Sequence, residues 1–180
     1  HSILSGTRKL QERTTYYIFQ EYARSGLFER IYLVSNPQLE SVLGDVPIIG
    51  YNDRLNQLIV SSFHMINIYN NNKPVIESSA EPREHTRIST IGISNLDNEK
   101  SMFFPLDNIK EVKYYYAINR EKLETDGTLM RRITENVKKE QDVDVSYGVY
   151  ATEYADDYVY FVANSSMIQY REKEKKSLQT

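Results

Sequence analysis

The 180-residue chain has no cysteine and no tryptophan, and it holds only seven glycines and five prolines. Without cysteine there can be no disulfide, no zinc–thiolate centre and no thiol nucleophile. Glycine is too sparse and too widely spaced for a phosphate-cradling loop or a dinucleotide fingerprint, and no serine sits in a nucleophile elbow. No stretch approaches the roughly 20 apolar residues that span a bilayer. The opening His1–Gly6 lacks the basic start and apolar core of a signal peptide, so the chain reads as a piece excised from a longer protein. A net charge of -3 provides no general attraction to nucleic acid, and no nucleic-acid partner is expected.

What the chain does have is tyrosine, fifteen in all, within a composition that is 40% hydrophobic and 26% charged. Those proportions suit one globular domain with a real core. Tyrosine favours pleated surfaces and carries a hydroxyl that seeks a partner when buried, so it suits both sheet packing and a polar-lined pocket.

Residues 6–34 read as one long helix or two consecutive ones, with Gly26 as a possible break. Leu10, Tyr17, Phe28 and Ile31 fall on one face, while Ile18, Tyr22 and Leu33 form a second stripe. Two stripes mean burial on both sides, either within the chain or against a homodimer partner through Tyr17, Ile18 and Tyr22. Asn36 followed by Pro37 opens a short helix carrying Leu39, Val42 and Leu43 to Gly44. After a loop with Pro47 and Gly50, Asn52 or Asp53 opens another helix with Leu55, Leu58 and Ile59 inward. Met65–Tyr69 and Val75–Ser79 then flank Asn70, Asn71 and Asn72, which reads as a hairpin because asparagine tolerates left-handed angles.

Arg87–Ser94 alternates as a strand, with a further strand at Ser101–Phe104. The stretch 114–123 fits a strand or a helix, and three adjacent tyrosines favour a strand over Tyr114–Ile118. Asp126 caps a helix carrying Leu129, Met130, Ile133 and Val137, and strands follow at Val143–Tyr150 and Tyr158–Ala163. A charged helix closes the chain from Ser165 to Lys176. The fold class is α+β: a long N-terminal helix packed on a mostly antiparallel, PAS-like sheet with one inserted helix. A single domain is expected, divided into 1–34, an α+β body at 35–163, and a C-terminal helix at 164–180.

Candidate chemistry is thin. His1, His64 and His85 are scattered, so no metal centre is expected. Tyr154-Ala-Asp-Asp157 is similar to the catalytic turn of reverse transcriptases, and Asp142 or Asp144 could serve as the further carboxylate. A chain of this size and charge leaves little room for a template. Asp142–Val149 resembles the late strand of diguanylate cyclases, whose signature loop is absent. A metal enzyme built on Asp142, Asp144, Asp156 and Asp157 ranks last among the readings.

The long first helix (8–34), the helix at 36–43, the Met65–Ser79 segment and the closing Tyr154–Ala163 strand together resemble the Cache superfamily of extracytoplasmic sensors. That resemblance implies a ligand-sensing domain of a transmembrane receptor, such as a two-component histidine kinase, signalling through its terminal helices. It implies no catalysis by the domain itself, no cofactor, an extracytoplasmic location and a membrane-spanning parent. A small-molecule ligand, if there is one, would be held by Arg87 and by Tyr114, Tyr116 and Tyr147. The alternative is a cytosolic or viral regulatory or interaction module without catalysis.

Overall fold

Isoleucine, valine and tyrosine crowd four stretches of the chain, and in a computed structural model describing residues 6–81, 85–97 and 100–170 these become the long strands of one sheet. They are β3 (Ile88–Ser94), β5 (Ile109–Asn119), β6 (Asp144–Thr152) and β7 (Tyr158–Ser165). Three short strands complete the sheet: β1 (Ile31–Tyr32), β2 (Ile76–Ser78) and β4 (Ser101–Met102). The order is β1-β3-β7-β5-β6-β2, with β4 added to β3 beyond β1. Gly92 of β3 sits where a Cβ would lie 2.2 Å from the Phe161 ring and 2.6 Å from the Ser101 carbonyl, so the β4–β3–β7 contact requires glycine.

The helices are α1 (Thr7–Arg24), α2 (Asn36–Leu43), α3 (Tyr51–Asn70), α4 (Arg120–Thr125) and α5 (Leu129–Lys138). They cover both faces of the sheet. On one face Val112, Tyr114, Tyr116 and Ile118 of β5 pack with Ala23 of α1 and with Leu129 and Ile133 of α5. On the other, Tyr115 and Ala117 pack with Leu39 of α2 and with Leu55, Ile66 and Tyr69 of α3. Strand β5 is therefore buried on both sides, which is why its sequence runs Tyr-Tyr-Tyr-Ala-Ile without a polar face.

The expectation of a helix on a mostly antiparallel PAS-like sheet is corrected. The sheet is mixed: β1 runs parallel to β3, and β5 runs parallel to β6, with Tyr114 beside Tyr147 and Tyr116 beside Val149. Parallel neighbours need a crossover, and α4 and α5 provide it between β5 and β6. The long first helix is also shorter than expected. Ser25 caps α1, Gly26 takes φ 83°, and the chain turns so that Ile31 and Tyr32 pair with Ile88 and Ser89.

The expected hairpin at Met65–Ser79 is corrected too. Met65–Tyr69 is the last stretch of α3, whose buried residues Leu55, Ser62, Ile66 and Tyr69 keep helical spacing to the end. The asparagines act through their side chains instead of left-handed backbone. The Asn71 amide donates to the Asn67 carbonyl at 2.8 Å and the Asn72 amide to the Ile68 carbonyl at 2.7 Å, adding side-chain donors to carbonyls of the last turn that the Asn71 backbone N–H also reaches. Only the second half of the hairpin is a strand: β2 pairs with β6, Ile76 opposite Val149. The expected closing helix does not begin at Ser165, which ends β7; residues 166–170 are non-helical and the remainder lies outside the described residues.

That terminal segment is pinned to α1 by two buried glutamines. Gln20 accepts from the Gln169 backbone N–H at 2.7 Å and donates to the Gln169 carbonyl at 3.2 Å, imitating a strand partner. The Gln169 side chain in turn accepts from the Asp107 N–H at 2.7 Å and donates to the Met167 carbonyl at 2.9 Å.

Candidate functional site

Helix α1 uses Tyr16, Gln20 and Ala23, at helical spacing, to face the sheet. Its other side carries apolar residues in water: Leu10, Ile18, Phe19 and Tyr22 are exposed, as is Leu27 just beyond the helix. Phe28 lies edge-on to Phe19 and Tyr22 with ring centroids 6.0 and 5.7 Å apart, so part of this surface is an ordered aromatic cluster. Of the expected dimer residues, Ile18 and Tyr22 are each 41% exposed, and Tyr17 is half-buried against Tyr170 at 5.6 Å. A second apolar spot is the α2–α3 loop, where Ile48 and Ile49 are almost wholly exposed.

A cleft of about 230 Å³ opens at the foot of the other sheet face. Its origin lies in lengths. Helix α3 stops at Asn70 above Tyr115, while β5, β6 and β7 run on beneath it. Side chains alternate along strands, so the uncovered rows present Lys113 and Ser146, then Glu111, Asp144 and Asn164. Arg30 and Tyr32 flank the cleft from the β1 edge, and Ala80 and Glu81 from the β2 side.

Within the cleft, Asn70 Oδ1 accepts from Lys113 Nζ at 3.0 Å and from the Tyr115 hydroxyl at 2.8 Å. The Lys113 ammonium also lies 5.0 Å from the Tyr115 ring centroid. Burial pushes the Lys113 ammonium below its ordinary value, although Glu77 acts in the opposite direction. Burial likewise raises the Tyr115 hydroxyl, with nearby Arg30 opposing the shift. Glu111 accepts from the Thr86 hydroxyl and, at 3.3 Å, from the Asn164 amide.

The residues expected to hold a ligand stand elsewhere. Tyr114, Tyr116 and Tyr147 are brought together, with Tyr116 and Tyr147 edge-on at 6.1 Å, on the face that α1, α4 and α5 cover. Tyr114 and Tyr116 are each 1% exposed, and the Tyr114 hydroxyl donates to Glu140 at 2.6 Å. Arg87 lies against Gly26, where a Cβ would meet its guanidinium at 2.5 Å. The cleft residues Lys113 and Tyr115 went unremarked in the sequence. Period-two alternation from the three tyrosines was the signal that places them together on the opposite face.

The acidic residues do not converge. Asp144 begins β6, whereas Asp156 and Asp157 lie past its far end, roughly 25 Å away at strand rise. Asp157 instead accepts from the Asn119 N–H at 3.1 Å and Lys122 at 2.7 Å. Among the described residues no group of three or more ligating side chains could hold a metal.

No protein-family profile matches the chain, and no curated protein sequence does. Solved structures do match in fold. FtsZ of M. jannaschii, solved as an empty dimer, superposes with a TM-score of 0.57 at 12% identity, covering 83% of this chain and 50% of that one. TubZ of Bacillus thuringiensis serovar israelensis, solved as a GTPγS-form protofilament, gives 0.57 at 13% identity over 92% of this chain and 49% of that one. Its GDP-form protofilaments give 0.56 at 12% identity over 92% and 52%. The chain thus spans about half the length of the solved proteins that it matches.

These likenesses overturn the Cache resemblance, and with it the two-component receptor and the transmembrane sensor, because the shared fold is that of FtsZ and TubZ. The expected extracytoplasmic location falls with them, and no described helix is long and apolar enough to cross a membrane. The expectation of no catalysis by the domain itself is contradicted as well, since TubZ, which shares the fold, was solved in GTPγS and GDP forms. The interaction-module alternative suits these neighbours better than the sensor did. The dimer and protofilament forms are compatible with the expected homodimer. At such identities, the likeness to FtsZ and TubZ is one of fold.

Proposed function

We propose that this chain is an assembly module of a filament-forming protein of the FtsZ and TubZ kind, in which copies meet through the outer face of α1. The observation that supports it most is the fold: one mixed sheet with helices on both faces, matched over 83–92% of the chain to proteins solved as a dimer and as protofilaments. The surface agrees with the fold. A helix whose outer side carries Ile18, Phe19 and Tyr22 in water gains by covering them, at roughly 1.5–3 kcal/mol for each large apolar side chain fully buried. Tyr17, at the edge of this surface and tilted against Tyr170, would frame the contact.

Nucleotide dependence belongs to the same proposal, because the TubZ protofilaments were solved in GTPγS and GDP forms. The test is sedimentation velocity of the chain over a wide concentration range, alone and with GTPγS or GDP. The expected result is a sedimentation coefficient that rises with concentration, and more steeply with GTPγS than with GDP if the chain handles nucleotide itself. A single monomeric boundary at every concentration and with either nucleotide would overturn the proposal.

A further inference from the structure

The geometry points to the cleft beneath α3 as a binding site for a small polar molecule that is anionic at one end and rich in hydrogen-bond donors at the other. Lys113 and Arg30 take the anionic group, and the acidic side of the cleft takes the donors. The site is separate from the α1 face and does not depend on assembly.

The anion end rests on two cations with little else to do. Lys113 is bound only to the neutral Asn70 oxygen, which it shares with Tyr115, and no carboxylate of the described residues lies within ion-pair distance of it. Arg30, on the opposite wall, makes neither a hydrogen bond nor an ion pair among the described residues. Their backbones are three strands apart and about four residues out of register, roughly 19 Å in all, and the side chains close that gap: the Lys113 ammonium lies 5.0 Å from the Tyr115 ring, and the Arg30 guanidinium is near enough to act on the Tyr115 hydroxyl. Two long side chains lining one cleft from that separation can reach a single small anion between them. A lysine that burial already disfavours as a cation gains most from such a partner, because a carboxylate or phosphate restores the lost solvation.

The other end is set by the sheet register. Asp144 and Glu111 stand side by side on the parallel pair β6 and β5, one row beyond Ser146 and Lys113, and Glu81 closes that side. A second anion is repelled from this row, and an ammonium or hydroxyl is favoured. Tyr115 lines the cleft at the Lys113 end, and Tyr32, level with Asn164 and Glu111, lines it at the acidic row. The ligand class is therefore an amino-carboxylate or amino-phosphate, or a hydroxylated counterpart.

The test is protection of Lys113 from amine acylation in the full chain, read by peptide mass spectrometry at fixed ionic strength. The probes are inorganic phosphate, phosphoethanolamine and γ-aminobutyrate, and exposed Lys139 is the internal control. Protection of Lys113 is expected to reach about threefold at a probe concentration twice its dissociation constant, with Lys139 unchanged. Phosphoethanolamine should protect better than inorganic phosphate. Protection by phosphoethanolamine without γ-aminobutyrate assigns the phosphate class, and the reverse assigns the carboxylate class. Arg30→Met should weaken protection while leaving the circular dichroism spectrum intact. Equal acylation of Lys113 with and without all three probes, or equal protection of Lys113 and Lys139, would overturn the site.

Discussion

Helices α1 and α5 pack on the same face of the sheet, yet they turn different surfaces to water. Helix α5 keeps Leu129 and Ile133 inward and shows solvent mainly Arg131, Glu135 and Lys138, a charged face with an Arg131–Glu135 pair at 3.9 Å. Helix α1 has its inward residues as well, but its exposed surface carries Leu10, Ile18, Phe19 and Tyr22 beside charged residues such as Arg13 and Glu21. Burial against the sheet accounts for α5 apart from one apolar side chain, Met130 at 40% exposed, and for only half of α1. One helix ends at water, and the other has the composition of a surface that meets another surface.

Breaking the inner side of each helix should be expensive. Ile133→Ala empties a fully buried site and is expected to cost about 3 kcal/mol in denaturant unfolding, without altering self-association. Gln20→Ala leaves the buried N–H and carbonyl of Gln169 without their partner, at about 2 kcal/mol. Unlike Ile133→Ala, it should also raise hydrogen exchange in residues 166–170, because it releases a segment instead of hollowing a core.

A smaller effect is expected where α5 ends. Burial alone would raise the Glu140 carboxyl, but hydrogen bonds from Lys100 and Tyr114 outweigh burial and hold it below its ordinary value. A depressed carboxyl contributes stability that is complete above its unfolded value of 4.5 and is lost as pH falls through the folded value. Tyr114→Phe removes one of the two donors. It should cost about 1 kcal/mol near neutrality and shift the acid limb of the stability curve to higher pH. Reversing charge on the outer side of α5, as in Arg131→Glu, should change stability by less than about 0.5 kcal/mol.

The two helices also show what a sequence discloses. Two inward positions of α5, Leu129 and Ile133, were legible from helical spacing, whereas Met130, expected inward with them, is 40% exposed. Strands β3, β6 and β7 were legible from their isoleucine, valine and tyrosine runs. The end of α3 was not, since the asparagines that make a tight turn are also able to cap a helix through their side chains. Parallel pairing of β5 with β6 leaves no local trace, because a strand buried on both faces reads the same whichever way its neighbour runs. The Gln20–Gln169 clamp joins residues 149 apart in sequence, and the cleft exists only because α3 ends before β5 does. On the outer side of α1, the stripe of Ile18 and Tyr22 was legible at helical spacing, and the structure leaves both 41% exposed.

The most direct test of that face is sedimentation velocity of Ile18→Asp/Tyr22→Asp beside the wild-type chain and Arg131→Glu, each shown to be folded by circular dichroism. The wild type and Arg131→Glu are expected to grow in sedimentation coefficient with concentration, while the double variant stays monomeric. A double variant that assembles as the wild type does would contradict the proposed role of α1.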